Sequence, residues 1–158
     1  MLLILFRHGE AEDVGPDEPD STRRLAPQGE ADNQVSLRAI RQAGLRPEVI
    51  VHSPLVRARQ TAQAAAEVLQ PAGGLHADER LACGAELDEV RAVVADHPAE
   101  VLLLVGHNPD LSLIVGSLIG GGQVVMKTSG AACVSLATVE PGAGRLEWLI
   151  GPALFASG

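Results

Sequence analysis

The chain sets out its hydrophobic positions in two kinds of block. Leu2-Leu3-Ile4-Leu5-Phe6, Val49-Ile50-Val51 behind Glu48, and Val101-Leu102-Leu103-Leu104-Val105 are unbroken apolar runs bounded by charged or turn residues. Runs this short, apolar on both faces, predict strands buried inside a parallel sheet. Between them the apolar positions spread out to helical spacing. After Pro27, the residues Ala31, Val35, Leu37, Ile40 and Leu45 predict an apolar helix face, and Gly44 a stop. Ser53 and Pro54 predict an N-cap and first position for a second helix through Arg57, Thr61, Ala65 and Val68, which Pro71 to Gly74 ends.

A short strand is expected near Leu75 to Ala77, a third helix across Leu87, Val90, Val93 and Val94, and a fourth from Pro109 to about Ile119. Two late strands, Cys133 to Thr138 and Arg145 to Ile150, flank the turn signal Pro141-Gly142-Ala143-Gly144. Strands alternating with helices predict a three-layer α/β/α sandwich around a largely parallel central sheet. With no linker or repeat, residues 1–158 are expected to form a single domain.

Chemistry enters at the strand ends. The first run exits into Arg7-His8-Gly9 and the third into Gly106-His107-Asn108-Pro109. The C-terminal edge of an open parallel sheet is where ligands bind, so two strands each delivering a histidine there predict a paired-histidine site. Arg57, expected one turn into the second helix, would join Arg7 on the same edge. Two guanidinium forks suit phosphate oxygens. A histidine nitrogen can attack phosphorus and be freed by water, and a second can donate to the developing charge. His52, His76 and His97 lie near element ends without partners at fixed spacing and are read as structural.

Composition then narrows the choices. A net charge of −8, no tyrosine, and only Phe6, Trp148 and Phe155 as aromatics argue against nucleic acid as a partner. Cys83 and Cys133 are too few for a disulfide framework, which points to a reducing cytoplasm. The first apolar run lacks a basic flank and is too short for a signal peptide or a membrane span. No zinc spacing and no Gly-x-x-x-x-Gly-Lys loop occur, so neither a metal nor another cofactor is expected.

Three blocks together carry a resemblance: Arg7-His8-Gly9-Glu10-Ala11, Ser53-Pro54-Leu55-Val56-Arg57-Ala58-Arg59-Gln60-Thr61-Ala62, and Gly106-His107-Asn108-Pro109. In order and content they resemble the signature of the histidine phosphatase superfamily. That resemblance implies a phosphoglycerate mutase-like fold, His8 as the phosphorylated nucleophile, and Arg7, Arg57 and His107 as the phosphate pocket. Ala11 and Val14 stand where mutases of the superfamily carry a hydroxyl residue and an asparagine. Ala11 and Asp20-Ser21-Thr22-Arg23-Arg24-Leu25-Ala26-Pro27-Gln28-Gly29 are similar instead to SixA-type phosphohistidine phosphatases, although Ala26 replaces that group's threonine.

The resemblance implies a phosphorylated protein as substrate, such as a histidine phosphotransfer domain, or a small phosphorylated molecule. A binding module with little turnover is the reading from another class, and the nucleophile His8 favours the enzyme. Glu79 is the candidate general acid, with Asp20 and Glu12 behind it. It sits five residues before Gly84, where mutase-like relatives have a spacing of four, and Arg80 takes the matching place.

Overall fold

A computed structural model of the chain describes residues 1–156. The three apolar runs are strands β1 (Leu2–Arg7), β2 (Val49–His52) and β4 (Val101–Gly106), and β3 is Leu75–Ala77. They lie parallel in the order β3-β2-β4-β1. The late strands β5 (Ala131–Leu136) and β6 (Gly144–Ile150) add antiparallel beyond β1. The central runs are apolar throughout because both faces of the sheet are covered. On one face Ile4, Phe6, Ile50 and Leu103 pack with α1 (Pro27–Gln42) and α2 (Val56–Leu69). On the other, Leu3, Leu5, Val51 and Leu104 pack with α3 (Leu87–Asp96) and α4 (Asp110–Leu118). This is the expected three-layer α/β/α arrangement. Truncating one of these fully buried leucines to alanine removes on the order of 2–5 kcal/mol of stability.

Local chemistry explains most element ends. Pro27 opens α1, and Gly44 leaves it at φ 81°, which a glycine tolerates. A reciprocal Glu86–Glu89 capping box opens α3.

Three readings of the sequence are corrected. Helix α2 begins at Val56 rather than at Pro54, because Ser53 is still held to the sheet: its N–H donates to the Val105 carbonyl at 3.0 Å. Arg57 is therefore the second residue of α2, not one turn in. The buried stripe of α1 is Gly29, Asn33, Ser36, Leu37 and Ile40, while Ala31 is exposed. That face includes polar residues because its first turns press on the loop after β1 rather than on the apolar core.

Topology places the site. The connection from β1 crosses through α1 on one face of the sheet, and that from β4 enters α4 on the other. Neighbouring strands whose connections part to opposite faces open a crevice at their C-terminal ends. The register Arg7↔Gly106 sets those ends level, so the residues just beyond, His8 and His107, stand side by side.

Candidate active site

The backbone fixes the two histidines first. The His8 N–H donates to the Gly106 carbonyl at 3.1 Å, and the Ser129 N–H donates to the His8 carbonyl at 3.2 Å. The rings of His8 and His107 lie 5.1 Å apart, centroid to centroid, tilted by 57°. His8 Nδ1 lies 2.7 Å from the Gly9 carbonyl, an acceptor, so Nδ1 carries the proton. Nε2 then bears a lone pair, and it accepts from Arg57 Nε at 3.2 Å. A buried imidazole is thus held in one tautomer with its free nitrogen facing a guanidinium.

Both histidines are driven neutral. Burial is the main cause for His8, the bond to Gly9 opposes it, and the charges of His107, Arg57 and Arg7 assist; the result is about 3 against an ordinary 6.5. His107 falls to about 4, chiefly through burial and then through Arg57. A neutral His8 therefore persists well into acid. The unfolded chain takes up these protons near 6.5, so it holds more of them than the folded chain does down to about 3 to 4. Their contribution to stability is complete above 6.5 and is lost as pH falls through that window. Urea midpoints are expected to drop between neutral and acid pH, and to drop less in a His8→Ala, His107→Ala double variant. An equally steep drop in that variant would refute this assignment.

Arg57 is 4% exposed, and every part of its guanidinium is engaged. Besides holding His8, Nη1 donates to the Asp20 carbonyl at 2.9 Å, Nη2 to Asp20 Oδ2 at 3.0 Å, and Nη2 to Cys83 Sγ at 3.8 Å. Arg7 Nη1 donates to the Met126 carbonyl at 2.9 Å, an oxygen that Asn108 Nδ2 also reaches at 3.0 Å. His107 Nε2 lies 2.7 Å from Ser53 Oγ. Arg7 Nε and His107 Nδ1 are buried without a hydrogen-bond partner among the described residues. Buried polar atoms left unpaired in this way can take a partner brought by a ligand.

Arg7, His8, Arg57 and His107 are thus brought onto one sheet edge. Glu79 is not tied to them: it lies in a short 3-10 turn, Glu79–Leu81, exposed, with no hydrogen bond to a pocket group among the described residues. Sequence reasoning missed the supports. Thr61 Oγ accepts from the Gly9 N–H and from Asn33 Nδ2, both at 3.1 Å, and donates to the Arg57 carbonyl at 2.9 Å. Ser129 Oγ donates to Asn33 Oδ1 at 2.8 Å. One hydroxyl thus links the loop carrying His8 to the helix carrying Arg57. A buried Asn33 at helical spacing from Leu37 and Ile40 was the signal available for this network.

Close packing adds to the constraint, since a Cβ on Gly29 would meet the Glu10 carbonyl at 2.2 Å. Thr61→Val keeps the volume but strands two buried donors, so it is expected to cost about 2–4 kcal/mol in urea unfolding and to lower turnover as well. A loss below 0.5 kcal/mol, an order-of-magnitude threshold for a surface change, would show that the network is dispensable.

Comparison with known proteins gives the family of the chain. The family model of the histidine phosphatase superfamily (branch 1) matches residues 3–82. An uncharacterized protein of Picosynechococcus sp. is 39% identical over 122 residues, which is 70% of this chain and 68% of that protein. The chain belongs to the histidine phosphatase superfamily, and with it to a class of phosphatases.

Within that class its fold is similar to the protein histidine phosphatase SixA complexed with tungstate, at TM-score 0.87 and 23% identity, covering 99% of this chain and 100% of SixA. A candidate phosphohistidine phosphatase SixA from Agrobacterium tumefaciens matches at TM-score 0.81 and 24% identity, covering 96% of this chain and 97% of its own. Phosphoserine phosphatase from Entamoeba histolytica, solved with phosphoserine, matches at 0.69 and 16%, covering 94% and 95%. Among the described residues no helix is long and apolar enough to cross a membrane.

Proposed function

We propose that the protein dephosphorylates phosphohistidine on a signalling protein, through a covalent intermediate on His8 and without a metal. The carrying observation is His8 Nε2, unprotonated and held at 3.2 Å by Arg57 Nε. In the first step Nε2 attacks phosphorus and the bond to the leaving group breaks, its electron pair departing with that group. In the second, water attacks phosphorus, the P–Nε2 bond breaks, and inorganic phosphate leaves with His8 restored. Arg7 and Arg57 supply the positive charge that a metal would otherwise bring. In the tautomer whose Nε2 accepts from the Ser53 hydroxyl, His107 Nδ1 carries a proton that can meet a phosphoryl oxygen.

The leaving group decides the substrate class. An alkoxide needs a proton from a placed acid, an aid of about 10²–10⁴-fold. Asp20, bonded to Arg57, is not such an acid: burial would raise its carboxyl, but the hydrogen bonds and charges of Arg57 and then Arg23 outweigh that and hold it below the usual range. Glu79 and Glu12 are the remaining candidates, and both are exposed. A protonated imidazole leaves readily without help, which favours phosphohistidine. The SixA relative was solved with tungstate, a phosphate-like oxyanion.

The test compares turnover of a phosphohistidine protein and a panel of alkyl phosphates, with chelator present throughout. Fast hydrolysis of the former and slow hydrolysis of the latter are expected. Glu79→Gln is expected to lower alkyl phosphate turnover more than phosphohistidine turnover. Fast alkyl phosphate hydrolysis, with a large and equal loss on both substrates in the variant, would move the protein to the general phosphomonoesterases. Loss of activity with chelator, restored by a divalent ion, would end the metal-free reading.

A further inference from the structure

Asp20 is joined to the nucleophile through a single guanidinium. Arg57 bonds His8 Nε2 with its Nε and Asp20 Oδ2 with its Nη2, while the second carboxylate oxygen of Asp20 lies 3.3 Å from Arg23 Nη1. Arg23 is itself pinned to the loop, donating to the Glu12 carbonyl at 2.9 Å and reaching the Ala11 carbonyl at 3.4 Å. The carboxylate is therefore a fixed anion on a buried cation, and its side chain is still 62% exposed to solvent.

We propose that Asp20 determines specificity: it selects phosphoryl compounds whose leaving group is cationic over those that carry a second anion beside the phosphoryl group. The inference rests on the reading that this pocket transfers phosphoryl groups. A leaving group must face away from His8, toward solvent, because in-line displacement puts nucleophile and leaving atom on opposite sides of phosphorus. Asp20, bonded to Arg57 and largely exposed, is an anion on that solvent side. Phosphohistidine protonated on its second ring nitrogen is such a cation. When its P–N bond breaks, the electron pair stays on the leaving nitrogen and the imidazole departs neutral, so the step itself transfers no proton. A carboxylate-bearing phosphoester meets repulsion at the same place.

One charge about 6 Å from another, at an effective dielectric constant of about 40, changes affinity roughly tenfold. Asp20 also competes with the phosphoryl group for Arg57, so its charge lowers affinity for every oxyanion and penalises anionic leaving groups most.

The test uses three benzylphosphonates with a 4-aminomethyl, 4-methyl or 4-carboxy group, titrated by calorimetry at low ionic strength into wild type, Asp20→Asn and Asp17→Asn. Asp17 is an exposed carboxylate of the same loop with no ion pair to Arg57. Wild type is expected to bind in the order aminomethyl, methyl, carboxy, with roughly tenfold steps. Asp20→Asn should compress that spread to a few-fold and tighten the methyl compound, while Asp17→Asn should keep the wild-type order and spacing. Equal wild-type affinities, an unchanged spread in Asp20→Asn, an equal compression in Asp17→Asn, or a uniform loss of affinity in Asp20→Asn would each overturn the proposal. Because phosphonates are not hydrolysed, the phosphatase reading is judged separately, by turnover of p-nitrophenyl phosphate.

Discussion

His8→Ala is expected to abolish turnover and the covalent intermediate together. Deleting a nucleophile that forms a bond to the substrate removes on the order of 10⁴-fold or more of the rate. The side chain lies at a strand exit, beside the His107 ring, and among the described residues its hydrogen bonds are to Gly9 and Arg57, so its loss should leave the fold intact. Rapid quenching of wild type with labelled substrate should trap acid-labile, base-stable phosphate on His8, and the variant should trap none. Near-normal activity in the variant, or labile phosphate that persists in it, would assign the nucleophile elsewhere.

Arg57→Lys ranks second. It keeps the charge but replaces a planar fork with a single ammonium. In the structure one guanidinium reaches His8 Nε2, the Asp20 carbonyl and the Asp20 carboxylate at once. A lysine cannot hold the nucleophile and also stabilise a transferring phosphoryl group, so kcat/KM is expected to fall by about 10²–10³-fold, the scale for losing one placed donor. Most of that loss should appear in kcat, since the charge that attracts the ground-state phosphate remains. A drop smaller than about tenfold would mean that net charge, and not the fork, carries the role of Arg57.

The supports of the site tie activity to stability. Thr61, Asn33 and Ser129 are wholly buried polar residues whose bonds run between α1, α2 and the loop after β1. A site assembled from separate elements in this way is preorganised only while those elements stay docked. Damage to the network should therefore reach catalysis even though none of its members faces the phosphoryl position in the proposed mechanism.

The linear order of residues determined the strands, most of the helices and the residue types at the strand exits. Local signals suffice there: an unbroken apolar run such as Val101 to Val105 has no stable placement except between two covered faces, and Pro27 and Gly44 act on the backbone wherever they stand. The chain also determined which side chains could do phosphoryl chemistry, since Arg7 ends its strand and His8 and His107 follow theirs directly. The tertiary structure alone decided how these parts meet. The Arg7↔Gly106 register, which sets His8 beside His107, belongs to a pairing between strands nearly a hundred residues apart. The polar stripe of α1, the late start of α2 at Val56 and the bond from Arg57 to Asp20 depend on packing and charge between distant segments. Periodicity reports only whether a position is buried. What a buried polar group bonds to, and whether a carboxylate near a pocket is a proton donor or a fixed anion, follows from neighbours that the fold supplies.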